Sequence, residues 1–177
     1  LGDLLRASLP AARAAHIEAL IRDVIAIVPR KARKADAALG ASRLGGIPDL
    51  PVDEAWPTKE DGEVHFVAQL RLEDLAPFDL HRRLPPRGLL SFFQGFGTRG
   101  AYAIDGRARY FPDAPSGLAP LPRPGRRKGF KIVGVDFEPR AMLPPHSSRW
   151  VPLEGPDDPY VALFDGLYRT YAEDDDY

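Results

Sequence analysis

The 177-residue chain carries 24 basic and 25 acidic residues, a formal net charge of -1, so no overall field draws it to nucleic acid or to an anionic membrane. It has no cysteine, which excludes a disulfide framework, a cysteine nucleophile and a thiolate metal site. Hydrophobic content of 44% with 28% charged residues is globular composition, and 19 prolines with 16 glycines require many ordered loops and turns.

From Ser8 to about Val28, apolar residues recur at three and four (Ala15, Ile17, Leu20, Ile21, Val24, Ile25, Val28). This spacing predicts an amphipathic helix with Ser8 as cap, Pro10 in the first turn and Pro29 as the stop. Arg30, Lys31, Arg33 and Lys34 then read as a solvated helix end or linker. The stretch SRLGGIPDLPVDEAWP, Ser42 to Pro57, follows with paired glycines and three prolines. Gly45 and Gly46 permit positive φ or close backbone approach, Pro48 and Pro51 hold the chain extended, and Trp56 can cover an apolar face.

VHFVAQLRL, Val64 to Leu72, and GLLSFFQ, Gly88 to Gln94, are strands by their aromatic and branched residues. AYAI and ARYF flank Asp105-Gly106, which predicts a two-residue hairpin turn. Pro112 to Pro124 reads as an extended loop, and FKIVGVDFEP as a further strand. Val161, Phe164, Leu167, Tyr168 and Tyr171 place a C-terminal amphipathic helix over Pro159 to Tyr171, followed by an acidic end. The sum is an α+β chain read as one loop-rich domain over residues 1 to 177, with a mostly antiparallel sheet, an N-terminal amphipathic helix and a C-terminal helix. No apolar run approaches the roughly 18 to 20 residues that span a bilayer, so a cytoplasmic location is expected.

Chemistry is sparse. GFGTRG, Gly95 to Gly100, has the form GxGxxG, but a hairpin pattern follows where a helix should hold a pyrophosphate, and Pro120 stands where a ribose-binding acid belongs. His16, His65, His81 and His146 lack metal-ligand spacing, and no serine sits in a nucleophile elbow. No cofactor or metal is expected. RPGRRKGFK carries Arg123, Arg126, Arg127, Lys128 and Lys131 around Phe130, a mixture that can hold phosphate and stack a base. The neutral total charge favours a solvated loop there. Gln69 differs, since an amide in an apolar strand must find partners or face a pocket; with Arg43 and Trp56 it forms the candidate binding constellation.

Ser42, Arg43, Leu44, Gly45, Gly46, Pro48, Leu50, Pro51, Trp56 and Pro57, followed by Phe66, Ala68, Gln69 and Leu70, resemble the signature of the YwqG-like family of bacterial domains of uncharacterised function. LPPRGLLSFFQ, Leu84 to Gln94, resembles that family's next segment. The resemblance implies a mixed α/β fold with prominent sheet and brings no catalytic residues. The family's later segment of histidine, paired leucines, glycine and proline has no match before Tyr177, which reads either as a shortened relative or as a chain that stops early. The expected function is therefore a non-enzymatic protein-binding domain, with an immunity or regulatory role toward a bacterial toxin domain implied by the resemblance. The competing expectation is a small-molecule binder or hydrolase with a pocket near Trp56 and Gln69.

Overall fold

The computed structural model describes residues 1–58, 62–97, 105–112, 117–122, 124, 129–155 and 157–168. In chain order these form helices α1 (Gly2–Ser8) and α2 (Ala11–Glu18), strand β1 (Arg22–Arg30), a 3₁₀ turn at Lys34–Ala37, and strands β2 (Arg43–Leu44), β3 (Asp49–Pro51) and β4 (Gly62–Arg71). Helix α3 (Leu72–Leu75) runs into a 3₁₀ turn at Ala76–Phe78, and strands β5 (Leu89–Gly97), β6 (Asp105–Phe111), β7 (Leu118–Pro120) and β8 (Val133–Met142) precede helix α4 (Pro159–Tyr168). A six-stranded sheet has the order β1-β8-β2-β4-β5-β6, and β3 pairs with β7 in a second, small sheet. The pairings of β2 with β4 and β8, of β3 with β7, of β4 with β5 and of β5 with β6 are all antiparallel. The fold is α+β with a mostly antiparallel sheet, an N-terminal helical segment and a C-terminal helix.

Four expectations are corrected. The helix read from Ser8 to Val28 is α2 alone, and Arg22 to Arg30 is strand. Val24, Ile25, Ile27 and Val28 are β-branched and stiff at χ1, which favours a pleated backbone, and Pro29 is tolerated because β1 lies at the edge of the sheet. Ser8 closes the unforeseen helix α1 rather than capping α2, whose N-cap is Pro10. Asp105 and Gly106 are not a hairpin turn but the first residues of β6, opposite Gly95 and Gln94; residues 101 to 104 lie outside the described residues. The loop read over Pro112 to Pro124 contains β7.

The chain divides into two compact units, one of Leu1–Val24 with the chain from Pro139 onward, the other of Ile25–Glu138. In the first, Leu5, Leu9, Ala14, Ile17, Leu143, Val151 and Tyr160 form the core. Asp158 organises it: Oδ1 accepts the Tyr160 N–H at 2.8 Å, capping α4, and Oδ2 accepts Arg13 Nη2 at 2.6 Å and the Glu154 N–H at 2.7 Å. The Arg13 guanidinium, with those two N–H groups, holds the Asp158 carboxyl down at about 2. In the second unit, Leu50, Val64, Phe66 and Phe93 form a cluster beneath Trp56, Phe111 and Leu121.

Candidate functional site

The stretch from Ser42 to Pro57 is laid over one face of the sheet by two backbone devices. Gly45 and Gly46 both have positive φ, +64° and +79°, and their N–H groups donate to Val67 O at 2.7 Å and Phe130 O at 2.9 Å. A Cβ at Gly46 would come within 2.7 Å of Ile132 Cγ1, so both conformation and space demand glycine. The second device is in β4, where the register shifts between Phe66 and Ala68. Val67 is the extra residue of a bulge. Phe66 pairs with Phe93 and Gln69 with Ser91, two positions apart on β5, so the bulge turns Phe66 and Gln69 onto the same face.

That face carries a row of polar partners. Gln69 stands between Arg43 on β2 and Ser91 on β5, and Ser91 faces Arg109 on β6. Gln69 is 0% exposed. Its Oε1 accepts the Asp49 N–H at 2.9 Å, and its Nε2 donates to Ala41 O and to Asp49 Oδ2, each at 2.9 Å. Asp49 Oδ2 also accepts the Gly40 N–H at 2.8 Å and pairs with Arg43 Nη2 at 2.9 Å. Arg43 in turn donates from Nη2 to Ile47 O at 2.5 Å and from Nη1 to Ala41 O at 3.3 Å. A buried pair of opposite charges survives when hydrogen bonds satisfy its remaining atoms, and here the loop backbone supplies them at both Nη atoms of Arg43, while Nε is buried without a partner among the described residues. Ser42 closes the start of the stretch, its Oγ donating to Asp74 Oδ2 at 2.7 Å and accepting the Arg71 N–H at 2.8 Å. Further along, Arg109 pairs with Glu54 and donates to Ala55 O at 3.1 Å, tying down the end of the stretch.

At the other end of the row, opposite Arg43, is Gly134. A Cβ there would collide with Arg30 and with Asp36 Oδ2, which occupy that space as an ion pair. Arg30 Nη1 meets Asp36 Oδ2 at 2.8 Å, and the guanidinium, with the Arg33 N–H, holds the Asp36 carboxyl down at about 2. The basic run read as a solvated linker is thus partly anchored.

Arg43 and Gln69 are brought together; Trp56 stands apart from them. Its ring packs nearly perpendicular to Phe93 at 5.7 Å, and Nε1 donates to Val64 O at 3.2 Å. Its free edge lines a hollow of about 200 Å³ with Ile47, Pro48, His65, Phe66 and Pro122. Gln69, fully buried, does not line this hollow. Asp49 is the member that sequence reasoning missed; an acid between Pro48 and Leu50, six residues after Arg43, was the available signal. Ser91 was missed too, its Oγ buried without a hydrogen-bond partner among the described residues.

Of the basic stretch, Lys131 is exposed, while Arg123, Arg126, Arg127 and Lys128 lie outside the described residues. Gly95 and Gly97 of GFGTRG belong to β5, residues 98 to 104 lie outside the described residues, and the next described element is strand β6. Among the described residues no three His, Cys, Asp or Glu side chains gather as a metal site, and no helix is long and apolar enough to cross a membrane. The family described as Domain of unknown function, DUF1963, matches residues 42–154. No curated protein and no solved structure matches the chain.

Proposed function

The chain belongs to the DUF1963 family, and we propose that it is a non-enzymatic protein-binding domain within that family. One observation carries this reading. The polar residues that the family-matching stretch concentrates, Arg43, Asp49 and Gln69, direct their hydrogen bonds at one another and at the loop backbone, which suits a rigid platform and leaves no acid and base facing a common substrate. Residues exposed along the same stretch, Ile47 at 47% and Val52 at 72%, offer apolar contact surface on that platform.

The finer reading we propose is a YwqG-like cytoplasmic protein that binds and neutralises a bacterial toxin domain. Co-expression with the product of the adjoining gene tests it: co-purification with relief of toxicity is expected, and a monomer that binds no neighbouring product overturns it. A small-molecule reading rests on the hollow beside Trp56 and His65, but about 200 Å³ falls below the roughly 300 Å³ at which ligand pockets begin.

A further inference from the structure

The unit formed by Leu1–Val24 and the chain from Pro139 onward holds a groove of about 280 Å³ lined by Leu20, Arg22, Met142, Leu143, Pro144 and Trp150, among others. Leu143 is 1% exposed, whereas Met142 is 38% and Trp150 59% exposed. An indole left that open beside a methionine is costly in water and is a common anchor position in interfaces. The walls are fixed from behind. Tyr160 Oη donates to Pro144 O at 2.5 Å, the Leu143 N–H donates to Tyr168 Oη at 2.9 Å, and His16 Nε2 lies 2.9 Å from Trp150 O. A groove held in this way needs little ordering when something enters it.

Charge indicates the occupant. Arg22 Nη1 donates only to the Ala19 and Ile21 carbonyl oxygens, at 3.1 and 2.9 Å, and the Arg149 guanidinium lies 4.5 Å from the centre of the Trp150 ring. Neither arginine meets a carboxylate among the described residues, whereas Arg6 and Arg13 of the same unit pair with Glu18 and Asp158. Deepening the protein-binding reading and resting on it, we propose that this groove docks an acidic amphipathic segment of a partner protein. An apolar side chain of that segment sits on Leu143 between Met142 and Trp150, and its carboxylates meet Arg22 and Arg149.

The test titrates the full chain into a labelled synthetic peptide alternating leucine, phenylalanine and glutamate, read by fluorescence anisotropy. Versions with every Glu→Lys or every Leu→Ser serve as controls. Saturable binding is expected, at least tenfold weaker for both control peptides and for Met142→Glu, at least fivefold weaker for Arg149→Glu, and weaker in high salt. Both variants lie at exposed side chains, and far-UV circular dichroism checks that they fold. Equal binding of the lysine peptide, or unchanged binding by the folded variants, overturns the proposal. So does self-association of the chain that Met142→Glu abolishes, since the occupant is then a second copy. Should a neighbouring gene product bind the variants as tightly as the unaltered chain, this groove is refuted while the protein-binding reading stands; if it binds neither, that reading fails by itself.

Discussion

Replacing Gln69 with leucine separates a structural amide from one that serves a ligand. The substitution keeps the volume and removes three hydrogen bonds: from the Asp49 N–H, to Ala41 O and to Asp49 Oδ2. Asp49 Oδ2 keeps Gly40 and Arg43, and Ala41 O keeps a longer bond from Arg43, so the Asp49 N–H is the group left orphaned. An orphaned buried donor costs about 1–3 kcal/mol, and each of the two other lost bonds about 1 kcal/mol net, so a loss of about 3–5 kcal/mol is expected. Against a total of roughly 5–15 kcal/mol that is a large share. Urea unfolding followed by circular dichroism reads it directly. With a slope of about 2 kcal/mol/M, a 3 kcal/mol loss lowers the midpoint by about 1.5 M at unchanged slope. A loss below about 1 kcal/mol would refute the network, because the amide would then be solvated or facing a pocket. Gln69→Glu places a second carboxylate against Asp49 and is expected to destabilise further at neutral pH than at pH 4.

Trp56→Ala removes the packing on Phe93 and the bond to Val64; the ring is half-buried, so about 2–4 kcal/mol is expected in the same urea assay, shifted down from the roughly 3–5 kcal/mol of a fully buried tryptophan. Ser91→Ala deletes a buried hydroxyl that has no partner among the described residues, and its midpoint should hold or rise by the equivalent of up to about 1 kcal/mol. The Asp158 carboxyl is held at about 2, below its usual 3.8, so its contribution is complete above about pH 4 and fades as pH falls toward 2. Asp158→Asn is accordingly less stable at pH 7 but loses stability less steeply between pH 4 and 2, measured as urea midpoints across that range.

The strands that matter most were readable because their signal is dense. Val64, Phe66, Leu70, Leu90, Phe92 and Phe93 crowd β4 and β5 with the branched and aromatic residues that a pleated, half-buried surface favours. The error at β1 has the opposite cause. Ile17, Leu20, Ile21, Val24, Ile25 and Val28 satisfy helical spacing, yet in a short window the same apolar residues also satisfy a strand, and sheet pairing decides between them. Pro29 reads as a helix stop from local chemistry, while its tolerance follows from the edge position of β1, a property of topology. Strands β3 and β7 are three residues each and contain prolines, too short for any period to register.

The candidate site divides along the same line. That Gln69 had to satisfy its amide follows from the chemistry of one residue in an apolar strand, and it does so. Which residues satisfy it depends on register. Without the extra residue at Val67, the pleat would put Gln69 on the face opposite Phe66, away from the loop that supplies Asp49. The bulge is in turn held by the Gly45 N–H bond to Val67 O, so the glycine pair, the bulge and the buried amide form one device. Trp56 lies thirteen residues before Gln69 in the chain, but it meets Phe93, one step further along the face from Ser91. The stretch from Ser42 to Pro57 is therefore better understood as a strap whose polar contacts fix where its exposed side chains stand. Ile47, exposed on that strap, is held from beneath by the Arg43 bond to its carbonyl oxygen, and Val52 by its N–H bond to Gly117 O at 3.2 Å.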